Sequence, residues 1–273
     1  MSPEDFSYVA DLVRTEAGVV LTSDKVFFLD TRLGPLARRE KEAGVDALIA
    51  RLRSQPTASR IQAVVEAALV PETRFFRNRS AFQTLADLSL PELVKRRGDK
   101  GLRILSAGCS SGQEAYSLAI LVQESLPQTP TEIVAIDYSR RSLEKARAGL
   151  YSHFEVQRGL PIRRLLDNFE KVDENWRASA ALRSKIVWSE ANLLSDLSGL
   201  GQFDVILCRN VLNSFAPAVA TACLERLEGR LAADGLLMLG VDEGLILPAS
   251  FKPEAASGLY RRNVAFVREV KMA

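Results

Sequence analysis

Four short stretches carry residue types that can hold a small polar ligand, and each closes a run of apolar residues. Gly108-Cys109-Ser110-Ser111-Gly112 follows the first run and leads into Gln113-Glu114. Paired glycines let a backbone turn tightly and approach a ligand, and a helix opening behind them offers free N–H groups. Asp137 ends the second run, placed to accept hydrogen bonds from a ribose diol. Asn192-Leu193 follows the third, where an amide can read an adenine edge, and Arg209-Asn210 ends the fourth. The glycine spacing is GxxxG rather than the GxGxxG of a dinucleotide site, and no GK[ST] is present to hold a triphosphate. An acid in the first loop and another after the second run suit a ligand that carries an ammonium and a ribose, to which the amide at Asn192 adds an adenine. S-adenosylmethionine has all three.

The elements that must position these residues follow from periodicity. LRILSAG (102–108), TEIVAID (131–137), FDVILCRN (203–210) and GLLMLGV (235–241) are short buried-strand runs separated by helical patterns. That alternation predicts an α/β domain, a parallel sheet with helices on both faces, whose ligand binds beyond the carboxyl ends of the strands. A less regular stretch, about 154–189, reads as a small β subdomain inserted in the sheet connections, and LYRRNVAFVREV reads as a terminal hairpin. Its Trp176 and Trp188 are expected in the subdomain core.

The first ninety residues are predicted helical. Ser2 can cap a helix with Pro3 at its first position and Asp5 closing a capping box, and Gly18 is its stop signal. Further helical segments run from Thr22 towards Glu42, over Val45–Arg53, and from Ser59 through Leu69. The expected division is therefore a helical domain with linker over 1–90 and a ligand-binding domain over 91–273. Lys25, Arg32 and Arg39 are seven apart and share roughly one helix face. Such a stripe is either a solvated face or a docking surface for an acidic partner.

Composition narrows the class. The 273 residues are 47% hydrophobic and 26% charged, with 36 Lys+Arg against 34 Asp+Glu, as in ordinary globular proteins. A net charge of +2 does not favour nucleic acid, and no apolar run reaches the roughly 20 residues needed to span a membrane. The acidic, amphipathic start is unlike a secretion signal, so a cytoplasmic protein is expected. Cys109, Cys208 and Cys223 lack CxxC spacing and His153 stands alone, so neither a disulfide framework nor a metal site is indicated.

SAGCSSGQEAYSLAI, IDYSRRSLEKARAGLY, NLL, FDVILCRNVL and the upstream ETRFFR together resemble the chemotaxis receptor methyltransferases of the CheR type. The resemblance covers nearly the whole chain. It implies a helical N-terminal domain and a Rossmann-like domain with a small antiparallel subdomain. The implied reaction is S-adenosylmethionine-dependent methylation of chemoreceptor glutamates, with S-adenosylhomocysteine as product. Carried over by position, it implies that Thr73, Arg77, Glu114, Asp137, Asn192, Leu193 and Asn210 line the cofactor site, beside Gly108 of the glycine loop. Lys25, Arg32 and Arg39 then belong to the basic helix that meets the acidic helical region of the receptor.

The implied chemistry tolerates a chain with one histidine, because a glutamate with a reference pKa of about 4.3 is already ionised and needs no general base. An arginine fork is the natural grip for the incoming carboxylate, which makes Arg77 and the run Lys95-Arg96-Arg97 the candidates, Arg77 and Arg96 foremost. Several positions depart from the family pattern. Pro71 stands where an asparagine is usual, Gln113 and Ala115 alter the residues beside Glu114, Ser214 replaces the active-site tyrosine, and Val241-Asp242 replace His-Ser in the usual GHSE. Those changes leave open a non-catalytic, cofactor-sensing or partner-binding relative. Gly108–Gly112 also satisfies GxSxG, so a serine hydrolase using Ser110, Asp137 and His153 is a further alternative.

Overall fold

The computed structural model describes residues 1–244, 247–254 and 258–262. They form two compact units: Met1–Val70 with Ser214–Ala220, and Pro71–Asn213 with the chain from Thr221 onward. No helix among the described residues is long and apolar enough to cross a membrane.

The first unit contains α1 (Pro3–Ala17), α2 (Val26–Arg39), α3 (Val45–Ser54) and α4 (Ala58–Ala68). Ser2 accepts a hydrogen bond from the Asp5 N–H at 3.1 Å, and Gly18, with φ 75°, closes α1 by donating to the Arg14 carbonyl. Apolar side chains at helical spacing are buried on each helix: Phe6, Val9 and Val13; Leu29, Leu33 and Leu36; Leu48 and Leu52; Val64 and Val65. The three cations spaced by seven have separate surroundings. Arg32 is half-buried and donates through Nε to the Ala67 carbonyl at 2.9 Å and through Nη2 to that of Leu69. It thereby satisfies carbonyls that the end of α4 leaves without helical partners. Lys25 and Arg39 are exposed beside Asp24 and Glu40. The Ser214 carbonyl accepts from the Val20 N–H at 2.8 Å, which ties the short later segment into this unit.

The second unit starts with α5 (Arg79–Thr84) and α6 (Leu90–Arg97), then β1 (Leu102–Ala107), α7 (Gln113–Ser125), β2 (Thr131–Asp137) and α8 (Arg140–Ala148). The connection to the next central strand holds β3 (Leu150–Ser152), α9 (His153–Gln157), α10 (Ile162–Asn168), β4 (Phe169–Val172), β5 (Asn175–Ala178) and α11 (Ala180–Arg183). The unit closes with β6 (Ile186–Glu190), β7 (Phe203–Cys208), α12 (Pro217–Glu228, of which Pro217–Ala220 is grouped with the first unit), β8 (Leu231–Leu239), β9 (Phe251–Pro253) and β10 (Leu259–Arg262).

The main sheet has the order β6-β2-β1-β7-β8-β10-β9, parallel from β6 to β8 and antiparallel at β10 and β9. Its central strands are mostly apolar because both faces are covered, and β7 is buried along its whole length although it carries Asp204 near its start. The small sheet, β3-β5-β4, is antiparallel and begins at Leu150. Ile186–Glu190, read from sequence as part of the insertion, instead pairs in parallel with β2, Ile186 opposite Ile133 and Glu190 opposite Asp137. Trp176 and Trp188 both pack, partly buried, against the core. β10 is the first strand of the expected terminal hairpin, and the rest of that stretch lies outside the described residues. Residues 71–90, grouped from sequence with the helical domain, fall in the second unit, where Phe75, Phe76, Phe82 and Leu85 share one core cluster with Ile104, Leu118 and Val205.

At the amino ends of the strands an ion-pair network joins α6 to the sheet. Arg97 donates to Asp204 at 2.5 Å and to Asp234 at 2.6 Å, while Asp204 also accepts from the Arg103 N–H at 2.8 Å. Arg97, chiefly through its hydrogen bond, holds the Asp234 carboxyl down at about 2, against burial that pushes the other way. A carboxyl lowered in the folded state stabilises above its unfolded pKa and loses that contribution as pH falls through its folded one. Urea midpoints should therefore fall as pH drops from about 4 towards about 2, and Asp234→Asn should flatten that fall. An Asp234→Asn profile parallel to the wild type would show that the network contributes nothing to acid stability.

Candidate cofactor site

The carboxyl end of β1 supplies the loop on which the site is built. Gly108, Ser110 and Gly112 all have left-handed backbone, with φ 74°, 50° and 91°. The N–H groups of Gly108 and Cys109 both donate to the Ile136 carbonyl at 2.9 Å, which folds the loop against the end of β2. The glycines are required by space as well as by φ. A Cβ on Gly108 would lie 2.6 Å from Val211 Cγ2, and one on Gly112 would lie 2.8 Å from Ala146 Cβ and from the Trp188 ring. Tyr151 of the small sheet donates to the Ser111 carbonyl at 2.6 Å, fixing the far side of the loop.

Two acids flank it. Asp137, half-buried at the end of β2, accepts from the Ser110 N–H at 2.7 Å and from the Ser139 N–H at 2.8 Å. Glu114, in the first turn of α7, accepts from the Ser106 hydroxyl at 2.9 Å and from Arg209 Nη1 at 3.2 Å. Burial pushes its carboxyl above the ordinary range, and the Arg209 charge opposes that rise. Arg209, whose side chain is 2% exposed, also donates through Nη2 to the Arg77 carbonyl at 2.7 Å. One guanidinium therefore links the exit of β7, the start of α7 and the segment leading into α5.

That segment is anchored by its aromatic pair, Phe75 and Phe76. Phe75 packs edge-on against Tyr151 and Phe169, Phe76 against Phe82, and the Phe76 N–H donates to Ser117 Oγ at 3.0 Å. Thr73 and Arg77 on either side are half-buried, and Arg77 Nη2 lies 3.2 Å from the carboxylate of Glu72. After β6 the Ala191 N–H donates to the Asp137 carbonyl at 3.1 Å, bringing Asn192 and buried Leu193 to the end of β2. The Asn192 side-chain oxygen accepts from the Leu194 N–H at 2.9 Å, so it shapes its own turn. Asn210, with φ 60°, stands immediately after Arg209.

The structure thus brings Gly108, Glu114, Asp137, Asn192, Leu193, Asn210 and the Arg77 segment together at the carboxyl ends of the strands. It does not bring Arg96 there. Arg96 lies on α6, ion-paired with Glu92 and, at 3.3 Å, with Asp234 at the amino ends. Two participants have roles that the sequence did not assign. Arg209 was read from sequence as part of the β7 exit but assigned no partner. Glu243 accepts backbone hydrogen bonds from Asn210, Val211 and Leu212, partners some thirty residues earlier in the chain. The hydrolase constellation is not assembled: the buried Ser110 Oγ has no hydrogen-bond partner, while exposed His153 Nε2 pairs with Gln157 at 2.7 Å. Burial also pushes the Cys109 thiol well up, with Asp137 and Glu114 adding to the rise, so it is no nucleophile.

A buried acid, a diol-type acid and a glycine cradle that any Cβ would fill suit the ammonium and the ribose of S-adenosylmethionine. The protein is a methyltransferase that uses this cofactor. The chain belongs to the CheR methyltransferase family: residues 71–257 match the family described as CheR methyltransferase, SAM binding domain. It is 37% identical over 248 residues to chemotaxis protein methyltransferase 1 of Pseudomonas aeruginosa, covering 88% of this chain and 90% of that one. Chemotaxis protein methyltransferase Cher2 of Pseudomonas putida is 32% identical over the same shares. A probable biofilm formation methyltransferase of Pseudomonas aeruginosa, WspC, is 34% identical over 72% of this chain and 47% of its own length.

Because Gly112 is both left-handed and enclosed, Gly112→Ala should destabilise the second unit by about 1–3 kcal/mol or more and weaken cofactor binding. Gly199→Ala, with nothing within 4 Å of the added carbon, should stay within about 0.5 kcal/mol. Equal denaturation midpoints for the two variants would contradict this account of the loop.

Proposed function

We propose that the chain transfers the methyl group of S-adenosylmethionine to glutamate side chains in the acidic helical cytoplasmic region of a chemoreceptor or related signalling protein. The observation that carries this is the pair of acids at the strand exits, Asp137 held by loop N–H groups and Glu114 held by Arg209, in a chain of this family. The names of the chemotaxis relatives support a role in chemotaxis signalling.

In this reading Asp137 takes the ribose hydroxyls and Glu114 the ammonium. Gly108 lets the backbone approach, and Asn192, Leu193, Asn210 and Thr73 complete the walls. The cofactor supplies an activated methyl on a sulfonium, which needs no acid to leave. The attacking carboxylate is ionised at neutral pH, so the chain has only to orient it and exclude water. Good alignment alone can contribute about 7 to 11 kcal/mol.

Arg77 is the proposed orienting group. Its side chain is 21% exposed and its present partner Glu72 is 63% exposed. An ion pair of that exposure contributes about 0–1 kcal/mol, so an incoming carboxylate can take the fork at little cost. On the first unit, Lys25 and Arg39 are the proposed contacts to acidic receptor helices. Arg32, placed with them by spacing, spends its guanidinium on the end of α4, so substituting it would alter the unit's stability together with any docking.

Calorimetric titration with S-adenosylmethionine and S-adenosylhomocysteine should give micromolar binding, weakened at least tenfold by Asp137→Ala. Labelled methyl should then pass to receptor cytoplasmic fragments as base-labile esters and be lost when the acceptor glutamates are changed to glutamine. Binding without transfer to any such fragment would favour a non-catalytic, cofactor-sensing role, to which Ser214 and Val241-Asp242 would be the guides. Base-stable label would overturn the carboxylate chemistry.

A further inference from the structure

Five backbone N–H groups converge on one buried carboxylate beside the candidate site. Glu243, 2% exposed, accepts through Oε2 from Gly240 and Asn210, both at 2.7 Å. Through Oε1 it accepts from Val211 and Leu212 at 2.8 Å and from Asn213 at 3.3 Å. One side chain thus clasps the loop that leaves β7 to the turn that leaves β8. Space has been left for it: a Cβ on Gly240 would lie 2.6 Å from Glu243 Oε2 and about as close to Asn210, at 3.0 Å from Nδ2.

The clasp fixes a conformation the loop would not choose alone. Successive N–H groups of 210–213 turn towards the same carboxylate only if the chain curls, and Asn210 does so in the left-handed region at φ 60°. The curl also sets Val211, whose Cγ2 fills the space where Gly108 has no side chain. Glu243 therefore controls Asn210 on one wall of the site and, through Val211, the seat of the glycine loop.

We infer that Glu243 is a positioning residue for methyl transfer, holding the 210–213 loop in its cofactor-binding shape without itself touching the cofactor. The inference rests on the cofactor-site reading above. Glutamine keeps one acceptor oxygen but turns its NH2 towards N–H donors, whereas aspartate keeps both oxygens and the charge on a shorter stem.

Glu243→Gln should raise the dissociation constant for S-adenosylhomocysteine and the KM for S-adenosylmethionine at least tenfold. At saturating cofactor kcat should change less than threefold, and Glu243→Asp should recover part of the lost affinity. Amides 210–213 should exchange hydrogen faster in Glu243→Gln. A purely structural role would lower the melting temperature and leave the affinity of the folded fraction at the wild-type value, and that result overturns the inference. If Glu243→Gln does not fold, Gly240→Ala, which crowds the clasp from outside, decides by the same titration: weakened binding supports the inference and wild-type affinity overturns it. Failure of the wild-type protein to bind would instead sink the cofactor-site reading on which both stand.

Discussion

The arrangement of the strand exits depends on a guanidinium buried at the end of β7. A charge taken out of water costs several kcal/mol unless it is paired and hydrogen-bonded. Arg209 is compensated by the Glu114 carboxylate, by the Arg77 carbonyl and by the face of Phe82, 5.5 Å from its centre. Glu114 is equally dependent, since burial alone drives its carboxyl up and Arg209 restrains it. Neither charge is tolerable without the other, so three segments distant in sequence must meet at one point. Such a pair contributes little net stability over apolar packing; what it specifies is where Glu114 faces.

Around that pair the chain uses carboxylates to hold backbone rather than to do chemistry. Asp137 gathers the N–H groups of Ser110 and Ser139, and Glu243 gathers those of five residues. Both acids stabilise loops that contain left-handed non-glycine residues, Ser110 and Asn210, which would be strained without these bonds. The site's shape is therefore an electrostatic product: negative charge at strand ends attracts the N–H groups that a turning chain leaves unpaired.

Much of this was legible in the chain itself. The apolar runs that became β1, β2, β7 and β8 can only be strands covered on both faces, and the glycine pair announced the loop between β1 and α7. Ser2, Pro3 and Gly18 marked both ends of α1. What escaped reading has a common physical origin in partners that lie far along the chain. Glu243 reaches back more than thirty residues for its donors, while Arg96, a candidate grip for the carboxylate by residue type, pairs with Asp234 of β8, far along the chain. Arg32 shares a face with Lys25 and Arg39 by spacing, yet its guanidinium is drawn to the carbonyl end of α4. The place of β6 was hidden for a similar reason: Ile186–Glu190 runs on directly from the inserted stretch, and only its pairing with β2 puts it in the main sheet.

The departures from the family pattern sort by the same physics. In Gly240-Val241-Asp242-Glu243 the glycine and the glutamate form the clasp, while Val241, 57% exposed, and exposed Asp242 point away from it. Pro71 is exposed as well. Ser214 keeps a bond that any residue can make, its main-chain carbonyl accepting from Val20, and gives up only the aromatic side chain. A change at an exposed side chain alters what a site presents without altering what holds it. The residues that hold the strand exits, Arg209, Glu114, Asp137 and Glu243, are all in place. Gln113 and Ala115 are the departures that lie inside: both are buried in the first turn of α7, and Gln113 accepts from the Ser111 hydroxyl at 2.9 Å, so the divergence there changes how the glycine loop is held as well as what the surface presents.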